Sequence, residues 1–122
     1  MTAVHFKLDN LCAIIDYNGL QIGGHLGMVK STLEPLVSKW ESFGWHVLEI
    51  NGHSIPEILA AFKEARMIKG RPSIIIAHTI KGKGVSFMER SVEYHGKVPS
   101  FALLKTALAE LEKEKNGSGG DE

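Results

Sequence analysis

The chain has 122 residues, 43% of them apolar and 23% charged, with Lys plus Arg and Asp plus Glu equal at 14 each. This is the composition of a single globular domain with its own core. The balanced charge argues against a global polyanion-binding surface, and no apolar run approaches the ~20 residues of a membrane span, so neither nucleic acid nor membrane is an expected partner. One cysteine, Cys12, rules out an internal disulfide. With no signal-peptide pattern at the N-terminus, a reduced, cytoplasmic setting is expected.

In chain order, "TAVHFK" near the start reads as the end of a helix. Leu11 to Tyr17 reads as a strand, and its consecutive apolar residues suit burial on both faces. A glycine-rich turn, "DYNGLQIGG", follows it at residues 16 to 24. Leu33, Leu36, Val37, Trp40 and Phe43 then form one apolar stripe, which predicts a helix over 32–43. Pro35 belongs in its first turn, Thr32 is the expected N-cap, and Gly44 ends it. His46 to Ile50 is a second strand, closed by Asn51-Gly52. Ser54 and Glu57 form a capping box for the next helix, with Pro56 in the first turn and Ile58, Leu59, Phe62 and Ala65 inward. Lys69 and Gly70 supply its stop. Ser73 to Thr79 is a third strand, again apolar at consecutive positions. A long loop leads to a last helix over 100–115, with Phe101, Leu104, Leu108 and Leu111 inward. Residues 116–122, "NGSGGDE", read as a flexible tail behind a domain of residues 1–115.

Alternating strands and helices imply an α/β fold with a parallel sheet and right-handed crossovers. Ligands of such sheets bind beyond the carboxyl ends of strands. The Asn18–Gly24 loop and the Lys81-Gly82-Lys83-Gly84 loop are both expected on that edge. Asn18 offers a neutral oxygen to a hard cation, and the two lysines complement a phosphate. Taken singly, Asn-Gly after a strand is a turn and Lys-Gly-Lys-Gly a solvated loop. The second of these lacks the P-loop spacing. His5, His25, His46, His53 and His78 show no ligand spacing and read as structural or exposed. No Cys/His set has zinc spacing, and no Ser-His-Asp set is visible.

Together, "KLDNLCAIIDYNGLQIGG", "WESFGWHVLEINGHS", "IIIAHTIKGKGVSFME" and "EYHGKVP" resemble the thiamine-diphosphate-binding domain of transketolases, in order, over residues 3 to 112. The combined "HTIKGKG" and "EYHGK" strings favour that family over deoxyxylulose-phosphate synthases and 2-oxo acid dehydrogenases. The resemblance implies a cofactor, thiamine diphosphate, held through Mg²⁺. Asn18 and the Leu20 carbonyl would be metal ligands. Ile22 would pack on the cofactor ring. Lys81, His95 and Lys97 would lie near the cofactor, with His95 a catalytic hydrogen-bond donor to diphosphate and substrate. The activity implied is transfer of a two-carbon ketol unit between sugar phosphates.

Two departures stand out. Gly23 occupies a position where the family commonly has Asp. The Gly-Asp-Gly motif that supplies the remaining metal ligand has no counterpart among the seventeen residues before Asn18. Also without counterpart are the earlier strands with their substrate-binding histidines, and the pyrimidine-binding domain. The expectation is therefore an incomplete doubly wound sheet of about three strands, with a strand edge and a sheet face uncovered. It would be inactive alone and complemented by a partner chain carrying the Gly-Asp-Gly half-domain and the pyrimidine-binding domain. The alternatives are a truncated remnant without catalytic role and a self-associating module that binds no cofactor.

Overall fold

The computed structural model describes residues 1–21, 24–25 and 33–117. Helix α1 (Thr2–His5) leads into β1 (Cys12–Tyr17), then a short hairpin of β2 (Leu20–Gln21) and β3 (Gly24–His25). There follow α2 (Leu36–Ser42), β4 (His46–Asn51), α3 (Ile55–Met67), β5 (Ser73–His78), a 3₁₀ turn (Glu93–His95) and α4 (Phe101–Gly117). Three strands make one parallel sheet in the order β1-β5-β4. This is the open α/β arrangement that the alternation implies. The β2–β3 hairpin inside the glycine-rich segment is an addition to it.

The core centres on β5. Ile74, Ile75 and Ile76 are each 1% exposed. Full burial of one such side chain contributes roughly 1.5–3 kcal/mol. This run meets the expectation of a strand covered on both faces. β1 does not. Its residues alternate, with Cys12, Ile14 and Asp16 exposed. Among the described residues it pairs with β5 alone, and Ile14 stays 57% exposed. Among the described residues, the consecutive apolar residues of β1 thus mark an edge strand with one uncovered face.

Helix α2 starts later than expected. Pro35 takes the N-cap position in extended conformation, φ −77°, with no side-chain cap of its own. A proline disfavours helical backbone in the residue before it, so the helix cannot run through Glu34. Glu34 instead accepts from the Leu36 N–H at 2.9 Å, doing what Thr32 was expected to do. Thr32 lies outside the described residues. At the other end Gly44 has φ +87°, and a Cβ there would sit 2.9 Å from Val4 Cγ1. The glycine both turns the chain and makes room for α1.

Helix α3 begins as expected, with the Ser54 hydroxyl accepting from Glu57 N–H. The Glu57 carboxylate, however, accepts from Asn51 N–H at 2.8 Å, so it ties the helix to the end of β4. The buried stripe differs in part from the expected one, with Ala65 buried as expected and Ile58 half-buried. Ala61 and Ala65 face inward, whereas Leu59 and Phe62 are exposed. The helix is seated over β4 and β5 on its small residues, and among the described residues no side chain fills the space beside it above β1. Ile14, Ile50, Ile58, Phe62 and Ile75 there line an apolar cavity of about 250 Å³. Helix α4 also departs from the expected burial. Phe101, Leu104, Leu108 and Leu111 are exposed, and among the described residues of the helix only Ala107 is buried. A polar tie holds it, since Ser86 N–H and Ser86 Oγ each donate to the Glu110 carboxylate at 2.7 Å. The helix extends through Gly117, two residues past Lys115, and residues 118–122 lie outside the described residues.

Candidate functional site

The register brings three chain segments to one place. His78, the last residue of β5, lies opposite Tyr17 of β1 and Asn51 of β4. The segments that leave these strands therefore share the carboxyl edge of the sheet, where open α/β sheets receive ligands. A cleft of about 360 Å³ opens there, with Asn18, Asn51, His53, His78 and Arg90 in its lining.

Asn18 is held from both ends of its amide. Its Oδ1 accepts from Leu20 N–H at 2.9 Å, and its Nδ2 donates to Asp16 Oδ2 at 3.0 Å. Gly19, between them, has φ +74°, and a Cβ there would meet nothing within 4 Å among the described residues. Asp16 is itself engaged, since Thr79 Oγ1 donates to its other oxygen. Among the described residues Asn18 Oδ1 accepts this one bond, which leaves it a lone pair for a further partner. On the rim, the Tyr17 hydroxyl donates to the Glu34 carboxylate. That bond, with the Leu36 N–H, holds Glu34 below the usual carboxylate range, and it pushes the tyrosine up. Tyr17 also meets the His78 ring edge-on, centroids 5.3 Å apart, and His78 Nε2 lies 2.6 Å from Glu49 Oε1.

The other expected residues are dispersed. Leu20 follows Asn18 closely, on the β2–β3 hairpin. Ile22 and Gly23 lie outside the described residues. Lys81 does not line the cleft, though Ile80 before it does. The Lys81 loop is tightly folded. Arg90 N–H donates to the Lys81 carbonyl at 2.9 Å, and Gly82, at φ +74°, packs so closely on Met88 that a Cβ would come within 2.5 Å of its carbonyl oxygen. His95 is exposed at the end of the 3₁₀ turn, outside the cleft lining. Lys97 is paired with the Glu93 carboxylate, which raises its pKa, and its ammonium lies 5.9 Å from the Tyr94 ring centre.

The sequence reads Asn51 only as the end of a strand and His53 and His78 as structural or exposed, and it does not single out Arg90, yet all four line the cleft. Asn51-Gly52-His53 also follows the carboxyl end of a strand, so the rule that selected Asn18 applied to it equally. Arg90 adopts φ +57°, a left-handed conformation unusual for a long side chain, and no sequence pattern signals it.

Mg²⁺ takes about six oxygens and usually one or two carboxylates. Asn18 Oδ1 and the Leu20 carbonyl are of the right chemistry. Among the described residues no group of three His, Cys, Asp or Glu side chains is arranged to hold a metal. The fit is that of a partial site.

A parallel sheet with Asn-, Gly- and Lys-bearing loops gathered at its carboxyl edge defines a ligand-binding α/β domain. The family model for the transketolase thiamine diphosphate binding domain matches residues 1–118, and the chain belongs to that family. It is 46% identical over 108 residues to the 6-deoxy-6-sulfo-D-fructose transketolase subunit SqwG of Clostridium sp. (strain MSTE9), covering 88% of this chain and 39% of that protein. It is 43% identical over 124 residues to an apulose-4-phosphate transketolase subunit of Phocaeicola vulgatus, covering 96% of this chain and 44% of that protein. Among solved structures, the transketolase of Campylobacter jejuni matches with a TM-score of 0.82 at 33% identity, over 91% of this chain and 17% of that one. The chain thus spans about two fifths of the length of these two curated relatives.

Proposed function

We propose that this chain contributes half of a Mg²⁺–thiamine diphosphate site to a transketolase that it forms with a second polypeptide. The observation that carries this reading is the pairing of a partial oxygen-donor set at the cleft with an uncovered sheet face beside it. A chain that supplies the remaining metal ligands would also cover Ile14 and Phe62. The split fits relatives that are named as transketolase subunits.

In the assembled site, Asn18 Oδ1 and the Leu20 carbonyl would hold Mg²⁺. Ile22 would lie against the cofactor ring. Lys81 and Lys97 would neutralise the diphosphate, and His95 would donate hydrogen bonds to it and to the substrate. When bound, the cofactor supplies carbanion-stabilising chemistry; the protein positions it. The reaction is two-carbon ketol transfer between sugar phosphates. The names of the two relatives make sulfonated and phosphorylated ketoses the first donors to assay. A cytoplasmic location suits the exposed, unpaired Cys12 thiol. Among the described residues no helix is long and apolar enough to cross a membrane.

The test is calorimetric titration with Mg²⁺ and thiamine diphosphate, with and without a polypeptide carrying the Gly-Asp-Gly half-domain and the pyrimidine-binding domain, followed by a ketol-transfer assay. Affinity and activity are expected only for the mixture. Micromolar binding by the isolated chain would overturn the half-site, and activity that does not need this chain would overturn its role in the assembly. The uncovered apolar face favours a second reading, self-association without cofactor binding. Sedimentation showing a homodimer that the other polypeptide cannot displace would support it instead.

A further inference from the structure

His53 sits in a turn whose position is fixed from several sides. Asn51 Oδ1 accepts from His53 N–H at 3.0 Å, and the Asn51 carbonyl accepts from Ser54 N–H at 3.0 Å. Gly52 N–H donates to the His78 carbonyl at 2.8 Å. Gly52 approaches β5 so closely that a Cβ would lie 2.4 Å from Thr79 Cγ2. From this base the imidazole reaches across the cleft edge, and Ile80 N–H donates to His53 Nε2 at 2.7 Å. A backbone N–H requires an acceptor, so Nε2 carries no proton and the neutral ring holds its proton on Nδ1.

Ile80 is where β5 gives way to the Lys81 loop. Its carbonyl accepts from Lys83 N–H at 3.2 Å, so the same residue begins the loop's first turn. On the other side, Thr79 is tied to β1 through Asp16. The segment between His78 and Lys81 is thus held by β1 at Thr79 and by His53 at Ile80. Losing the His53 contact would leave the Ile80 amide without its partner while the strands stay paired.

We propose that His53 is a positioning residue, which fixes the start of the Lys81 loop to the β4–α3 turn through the Ile80 amide and so sets that loop's place relative to Asn18. The inference rests on the proposed function for the claim that this loop meets the cofactor; the clamp itself does not depend on it.

The test has two arms. In the full chain, His53→Ala is expected to speed hydrogen exchange at the Ile80 amide about tenfold, the scale of one hydrogen bond, without changing Gly52 or Ile75. His53→Gln, whose Oε1 can accept, is expected to restore protection. A scalar coupling between the Ile80 amide nitrogen and His53 Nε2 in the wild type is the accompanying signature. In the complemented assembly, His53→Ala is expected to raise the Kd for thiamine diphosphate about tenfold, with partial recovery in His53→Gln. Unchanged Ile80 exchange, or equal acceleration at Ile75 in both variants, would overturn the clamp. Accelerated Ile80 exchange with unaltered cofactor affinity would overturn the positioning role. If the wild-type assembly binds no cofactor, the proposed function falls, and the exchange arm still decides the clamp.

Discussion

The Glu34 carboxylate accepts two hydrogen bonds at the rim of the cleft, one from the Tyr17 hydroxyl and one from Leu36 N–H. Both favour the ionised carboxylate, so its folded pKa lies below the ordinary value. The sign follows directly. The stabilising contribution is present above the unfolded carboxyl's pKa and is lost as the pH falls through the lowered one. Carbon-detected NMR titration should place the Glu34 midpoint below that of a free glutamate, and Tyr17→Phe should move it upward. A midpoint unaffected by Tyr17→Phe would show that the tyrosine bond does not act on the carboxylate. Gly52 gives a second residue-scale expectation. A Cβ would meet Thr79 Cγ2 at 2.4 Å, Ala77 Cβ at 3.0 Å and the His78 carbonyl at 3.2 Å. Gly52→Ala should cost about 1–3 kcal/mol in urea unfolding, the range of overpacked sites. At this scale the sequence was legible where a residue's role is local, as with the Ser54 cap. The His53–Ile80 contact joins positions 27 apart, and no local pattern carries it.

At the level of elements, Leu36 of α2 and Ala65 of α3 are buried as their stripes imply, whereas the large apolar residues Leu59 and Phe62 of α3 and the whole expected stripe of α4 are exposed. Leu59 and Phe62 lie on α3 at the expected spacing, yet both are left exposed. Periodicity reports that a face is apolar and says nothing of which chain covers it. This yields a pair of contrasting expectations for Leu59→Lys. In the isolated chain, where Leu59 is 64% exposed, unfolding stability should change by about 0.5 kcal/mol or less. If the face receives a second polypeptide, association measured by sedimentation should weaken by about tenfold or more, since a charge would enter an apolar contact. Association unaltered by Leu59→Lys would place the partner elsewhere. Helix α2 teaches a different lesson. Its stripe was visible, but its start was set by the backbone restriction that Pro35 imposes on Glu34.

For the whole molecule, fold class was legible because alternation of strands and helices permits few architectures. The strand order β1-β5-β4 was not, because it depends on where the last strand inserts. The candidate cleft was legible on its β1 side through Asn18 and missed on its β4 side for the same reason. β4 is a neighbour of that cleft only once β5 lies between them. A sheet with an uncovered face should bind an apolar dye and lose that binding when complemented. Thermal stability should then rise with partner concentration, by about 2.7 kcal/mol when the partner is at a hundred times its Kd. A melting temperature independent of the added polypeptide would count against complementation.

The pairing of His78 with both Tyr17 and Asn51 makes β5 a common ruler for the sheet. Its consequence is a map of where the chain tolerates changes in length. One residue inserted within β5 would move every later side chain of the strand to the opposite face and shift His78 by one strand step against two neighbours at once. One residue added after Met67, before Ser73, would be absorbed by the connection and leave both registers in place. Insertions and deletions compatible with the cleft should therefore fall between the sheet's ladders and be absent from Ser73–His78.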